Sequence, residues 1–185
     1  MKYTKLEIDG VWIINSTIHH DVRGTFQEWF KYDDMKEFLD IDFKTAQANL
    51  SYSHKNTLRG LHFSTLKEGQ AKIITCVSGS IYDVIVDLRP NSKTFGLCTS
   101  FNLESKSGNS ILVSEGLGHG FISLEDNTAV SYLVSSKYSP ENEHSINPLD
   151  QTLAIDWPSN TPIISQRDLA GYSFQEFLNK LNDEN

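Results

Sequence analysis

Short apolar runs, rich in Val, Ile, Thr and Tyr and cut at even intervals by Gly, Asn, Ser or Asp, set the limits on what this chain can fold into. They read "GVWIINS", "KIITCVSG", "SIYDVIVDLRP", "TSFNL", "NSILVSEG" and "AVSYLVSS". β-Branched and aromatic side chains suit a pleated, half-buried surface, and the turn residues between runs punctuate strands. Even spacing favours a closed or sandwiched antiparallel architecture over alternating β and α units. A chain of 185 residues is most simply one domain, residues 1–185, burying about 70% of the surface its unfolded form exposes.

Two stretches break the β pattern. In "YDDMKEFLDI", Asp33 or Asp34 can cap a helix whose apolar face is Met35, Phe38 and Leu39. Near the C-terminus, Ser173 and Glu176 have capping-box spacing, and Phe174, Phe177, Leu178 and Leu181 line one helical face that should dock on the sandwich. Between the last strand and that helix, "DQTLAIDWPSNTPIISQRD" lacks a regular period and is expected to wrap the surface.

Charge narrows the partners. With 16 Lys+Arg against 24 Asp+Glu the formal net charge is -8, which repels nucleic acid and anionic membranes. A small anionic ligand is compatible with this balance, because a few arginines in one cleft override the global sign locally. Cys76 and Cys98 stand in separate apolar runs with neither CxxC nor metal spacing, as expected of buried thiols in a reducing compartment. No run has signal-peptide character or membrane-spanning length, so a cytoplasmic location is expected.

The chemistry concentrates in a few strand residues. "LRGLHF" sets Arg59 and His62 in a strand, and strict alternation puts them on opposite faces, so a site using both requires a bulge or bend at Gly60. Lys72 alternates with Ile74 and Cys76, Tyr132 with Val130 and Val134, and Asp83 with Ile81 and Ile85, so all three should point inward. Singly, each has a bland explanation: a bonded core histidine, a snorkelling lysine, a packed tyrosine, or a turn-capping aspartate. Together they are an acid–base inventory, and a lysine among apolar neighbours is expensive unless paired or used. No GxGxxG or phosphate-cradling loop is present, and no redox cofactor is required.

Two glycine-flanked histidines carry a first resemblance. Gly108, Gly116 and His119 in "GNSILVSEGLGHGFISLEDN" resemble the second cupin motif, with Ser114 where that motif prefers proline. The stretch from His62 resembles the first cupin motif in part, but Ser64 stands where metal-binding cupins place a second histidine. Losing one of three or four imidazole ligands leaves too few, so the barrel is expected to hold no metal.

A wider resemblance covers nearly the whole chain. "DVRGTFQEWF", "QANLSYSHKNTLRGLHF", "QAKIITCVSGSIYDVIVDLR", "SKTFG", "EGLGHGF", "YLVSSKYSPENEHSINPLD", "LAIDWP" and "SQRD", in this order and spacing, resemble the dTDP-4-dehydrorhamnose 3,5-epimerase family. That resemblance implies an all-β cupin jelly roll with a few short peripheral helices, including a C-terminal one. It also implies a cofactor-free homodimer that inverts the carbons flanking the 4-keto group of a nucleotide-linked 6-deoxy sugar. By matching motif, His62 resembles the general base, Asp168 its partner, Tyr132 the acid on the opposite face and Lys72 the enolate stabiliser, with Asp83 in the same pocket. Arg23, Glu28, Gln47, Asn49, Arg59, His119, Tyr138 and Glu143 fall at positions used for sugar, pyrophosphate or nucleoside contacts, with Arg167 a further phosphate contact. The wording of "GLGHGF" and "INPLD" is similar to epimerases of antibiotic-sugar pathways, some of which invert one carbon. GDP-linked 6-deoxy-heptose epimerases share this dyad. A non-catalytic sugar-binding cupin needs the arginines but has no use for His62, Lys72 and Tyr132 together.

Overall fold

The computed structural model describes residues 1–65 and 69–183. In chain order the first elements are β1 (Lys2–Lys5), β2 (Val11–Asn15), β3 (Ile18–Asp21), β4 (Gly24–Gln27), α1 (Tyr32–Leu39), β5 (Gln47–Ser53), β6 (Thr57–Ser64), β7 (Lys72–Ser78) and β8 (Ser80–Asp87). They are followed by β9 (Cys98–Glu104), β10 (Asn109–Val113), β11 (Leu117–Ser123), β12 (Thr128–Val134), β13 (Glu143–Ser145), β14 (Ile163–Ile164), α2 (Gln166–Leu169) and α3 (Phe174–Asp183).

Two antiparallel sheets face each other as a jelly-roll sandwich. One runs β1-β2-β10-β7-β12-β5, and the other runs β13-β6-β11-β8-β9 with β14 added parallel to β6. Alternation puts Val11, Ile74, Ile81, Ile85, Leu103, Ile111, Phe121 and Val130 into one fully buried layer between the sheets. The same alternation aims Lys72, Asp83 and Tyr132 inward, as expected from their apolar neighbours.

Each sheet also has an outer covering. α3 carries the expected capping box: the Ser173 backbone N–H donates to Glu176 Oε2 at 2.7 Å, and the Glu176 N–H donates to Ser173 Oγ at 3.2 Å. Phe174 and Phe177 are buried beneath it, and the Phe177 ring meets Phe63 edge-on at 5.3 Å. α1 differs from expectation. Its N-cap is Lys31, with Asp33 and Asp34 inside the first turn, where they favour the helix dipole without bonding the orphan amides. Only Met35 is fully buried, with Leu39 packed partly against the same cluster, and Phe38 is exposed.

β11 is a strand that hydrophobic periodicity does not announce. Every residue of "LGHGFIS" is buried, and the glycines are there for space: a Cβ on Gly118 would lie 2.6 Å from Val86 Cγ1. The segment 150–168 wraps the surface as expected, yet it buries Trp157 and adds β14 and α2. Two features stay uncovered. β5 is an open edge with Leu50 and Tyr52 exposed, and the β3–β4 hairpin forms its own two-stranded sheet with Val22 and Phe26 exposed. Among the described residues no helix is long and apolar enough to cross a membrane.

Candidate active site

β6 carries the first half of the site, and it does so by changing phase. Leu58, Leu61 and Phe63 pack on the outer side, while Arg59 and His62, three apart, both reach the inner cavity. The register against β11 shifts between His119 and Phe121, and Gly60 at φ 120° supplies the turn of the backbone. A side chain could not serve there, since a Cβ would stand 2.5 Å from Gly120 Cα and 2.7 Å from the His119 carbonyl oxygen.

His62 Nε2 lies 2.8 Å from Asp168 Oδ1. Asp168 sits in α2, whose Ser165 cap accepts the Asp168 N–H, and the Gly60 N–H donates to its Oδ2 at 3.4 Å. Burial works against the Asp168 charge, but the interaction with His62 and the Gly60 amide prevail and hold the carboxyl below the usual range. An ionised Asp168 accepts a hydrogen from Nε2, so the basic lone pair of the neutral ring lies on Nδ1, which has no partner among the described residues.

The facing sheet supplies the second half. Lys72 of β7 is almost fully buried, and its Nζ donates to the His62 carbonyl at 3.4 Å. Burial lowers its pKa, opposed by the charges of Glu143 and Asp83. Tyr132 of β12 packs edge-on to His119 at 6.3 Å and shares a 3.3 Å hydroxyl contact with Ser51 of β5. Burial raises its pKa well above the ordinary phenol value, so the hydroxyl keeps its proton at neutral pH.

These groups surround a cavity of about 270 Å³ whose lining includes ten of the residues singled out in the sequence. His62, Lys72 and Tyr132 occupy its walls with His119, while Gln47, Asn49, Arg59, Tyr138, Glu143 and Arg167 form the rest. The rim is cross-braced. Gln47 donates to Asn49 and accepts the Tyr138 N–H, and Arg167 reaches the Tyr138 hydroxyl and the Glu143 carbonyl. Arg59 spends Nε on Ser53 Oγ and Nη2 on the Tyr52 carbonyl, which fixes the guanidinium with its remaining edge toward the cavity. A neighbouring cavity of about 410 Å³ shares Arg59, His62 and Arg167 and reaches Asp168.

Three expected site residues lie elsewhere. Arg23 and Glu28 are outside the cavity: Arg23 pairs with Asp21 at 2.6 Å on the β3–β4 hairpin, and Glu28 pairs with Lys31 at 2.8 Å. That hairpin belongs to neither main sheet, so one chain does not carry it to the pocket. Asp83 is wholly buried and outside the cavity lining, with its Oδ2 2.8 Å from Nε2 of His119, which does line the cavity. The sequence reading passed over Ser51 and Gln70. Ser51 has the alternation of Asn49 two residues earlier as its signal, and Gln70 bonds Ser136 and Glu143 from a segment with no period at all. Among the described residues no three His, Cys, Asp or Glu side chains cluster as ligands for a metal.

A sandwich with a carboxylate-held histidine on one sheet and a protonated, buried tyrosine beside a buried lysine on the other has the equipment of an acid–base isomerase, groups that can take a proton from one side of a carbon and return it to the other. The chain belongs to the dTDP-4-dehydrorhamnose 3,5-epimerase family, whose model matches residues 5–176. A dTDP-4-dehydrorhamnose 3,5-epimerase of Mycobacterium tuberculosis is 46% identical over 179 residues, covering 95% of this chain and 89% of that protein. A solved epimerase of the same organism superimposes with a TM-score of 0.94 at 45% identity, covering 97% of this chain and 92% of that one. A 3'-monoepimerase from Streptomyces bikiniensis, solved in complex with dTDP-quinovose, superimposes with a TM-score of 0.90 at 38% identity, covering 96% and 89%.

Proposed function

We propose that this chain inverts the carbons flanking the 4-keto group of a dTDP-linked 4-keto-6-deoxy sugar, converting a dTDP-4-dehydro-6-deoxy-D-glucose type substrate into its L-rhamnose-configured epimer. The observation that carries the reading is the placement of base and acid on facing sheets across one cavity. His62 Nδ1 removes the proton α to the ketone, and Asp168 fixes the tautomer and stabilises the imidazolium that results. The enolate oxygen forms beside Lys72, whose ammonium supplies the largest stabilising contribution to a charge that develops only in the transition state. Tyr132 donates from the opposite wall, so the carbon is reprotonated on its other face. Arg59 and Arg167 suit the diphosphate, since a guanidinium fork matches phosphate oxygens.

The domain is read as a single unit, acting in the cytoplasm as a homodimer. The open β5 edge and the exposed apolar residues of the hairpin support the dimer, because an uncovered edge strand pairs readily. A dimer also accounts for Arg23 and Glu28, which then serve the partner's cavity. Proton NMR of dTDP-4-keto-6-deoxyglucose with the protein in deuterium oxide tests the reading. Deuterium at both carbons beside the ketone is expected. Incorporation at one carbon reassigns the protein as a single-site epimerase, and none at all refutes the reading for the dTDP sugar and leaves a GDP-linked heptose to be tried.

A further inference from the structure

His62 has a counterpart. Directly opposite it in the β6–β11 register stands His119, also bonded through Nε2 to a carboxylate, so two histidine–aspartate pairs lie side by side on one sheet. The first pair opens to solvent, with the His62 side chain 37% exposed; in the second, Asp83 is 0% and His119 5% exposed. We propose that Asp83 is a positioning residue that shares a proton with His119, so that His119 presents an Nδ1–H donor to the sugar side of the cavity beside Lys72. This rests on the function proposed above.

Three observations lead there. Asp83 stands opposite Phe121 on β8, one diagonal step from His119 on the inner face, and its Oδ2 holds Nε2 at 2.8 Å. The ring is thereby oriented with Nδ1 toward the cavity that His119 lines, and Nδ1 has no partner among the described residues. Second, Asp83 Oδ1 is buried with no hydrogen-bond partner among the described residues. A full carboxylate with one oxygen unpaired is costly to bury, and a proton shared with the imidazole lowers that cost. Third, the buried Lys72 feels the charges of both Glu143 and Asp83, so it does not serve Asp83 alone, and a proton shared with His119 lowers the cost that remains.

With the additional proton held in the Oδ2–Nε2 bond, hydrogen stays on Nδ1 whether the pair is written as acid and neutral ring or as carboxylate and imidazolium; a proton on Oδ1 instead would leave Nδ1 bare, an outcome that nitrogen NMR distinguishes. A ketone oxygen or enolate can only accept, so this donor complements Lys72. The contrast with His62 is functional: both oxygens of its buried partner Asp168 are bonded, so that carboxylate stays ionised and leaves Nδ1 bare to act as a base, while Asp83, with one oxygen unpaired, shares a proton and keeps His119 Nδ1 protonated to act as a donor.

Two measurements test this. Long-range proton–nitrogen NMR of the ¹⁵N-labelled wild-type protein near neutral pH, with the His119 signals identified by their absence in His119→Gln, is expected to show hydrogen on Nδ1. A bare Nδ1 with hydrogen on Nε2 alone overturns the proposal. In the second, Asp83→Ala is expected to lower kcat by about 10²-fold, the loss typical of one donor to a developing oxyanion, with dTDP affinity within about two-fold of wild type. Unchanged kcat, or a parallel fall in dTDP affinity in a folded variant, overturns it. If Asp83→Ala does not fold, the wild-type spectrum decides. Failure of the wild-type protein to exchange protons on the sugar refutes the proposed function and leaves the spectrum as an independent result.

Discussion

At the scale of single residues, the division of labour between His62 and Tyr132 makes separable predictions. His62→Ala is expected to abolish deuterium uptake at the ketone's neighbours, by about 10³-fold or more, while dTDP binding measured by calorimetry stays close to wild type. Tyr132→Phe keeps the base, so exchange begins and inverted product falls; wild-type product yield from this variant would rule Tyr132 out as the donor. Ser51 aims the phenol through the 3.3 Å hydroxyl contact. Ser51→Ala is expected to reduce product formation several-fold, roughly the value of one neutral hydrogen bond, with dTDP affinity unaffected. Residue-level chemistry was largely legible in the sequence, because a charged or phenolic side chain alternating with Ile and Val reports its own inward direction. What was not legible was depth. Asp83 and Lys72 read alike, yet one stops behind a histidine and the other reaches the cavity.

At the scale of elements, β6 and the turn after β8 bear the most. Gly60→Ala places a methyl against the backbone of β11 at a φ that only glycine adopts with ease. A stability loss of about 3 kcal/mol or more is expected from strain and overpacking, seen as a lower denaturation midpoint, together with loss of activity from a displaced His62. The turn after β8 is built on Asp87, which is wholly buried and accepts from Arg89, Ser92 and Thr94. Burial alone would raise its pKa, but these donors prevail and depress it far below the ordinary carboxylate value. A depressed folded pKa contributes stability that is complete above the unfolded pKa near 4 and lost as pH falls toward the folded value. Asp87→Asn is therefore expected to be less stable at pH 7 and to show a flatter decline between about pH 4 and pH 2, measured by urea unfolding. The strands rich in Val and Ile were readable from pattern. β11 was not, since its glycines report close packing of backbones rather than a hydrophobic period, and the phase change in β6 was foreseeable only as a requirement that Arg59 and His62 imposed together.

At the scale of the whole molecule, the prediction concerns assembly. Arg23 on the β3–β4 hairpin and Glu28 just after it lie outside the cavity of their own chain. In the proposed dimer a site draws on two chains, so mixing inactive Arg23→Ala with inactive His62→Ala should restore part of the activity once subunits exchange, because some sites then contain both native residues. Sedimentation should show a dimer. A monomer, or mixtures that stay inactive despite exchange, would remove Arg23 from the site. The order of motifs along the chain made the architecture legible, but the sequence carries no mark of which side chains meet within one copy and which across two.

The proposed base, His62, belongs to one sheet and the proposed acid, Tyr132, to the other, so the instrument that sets their separation is the apolar filling between them. Sheets in such sandwiches stand about 10 Å apart, and the thickness beside the cavity is governed by residues such as Ile74, Ile111 and Val130, none of which lines it. On the proposed mechanism the separation of acid and base is a mechanical tolerance of the core, and trading methyl groups in the interior would alter it with every polar residue of the pocket left in place.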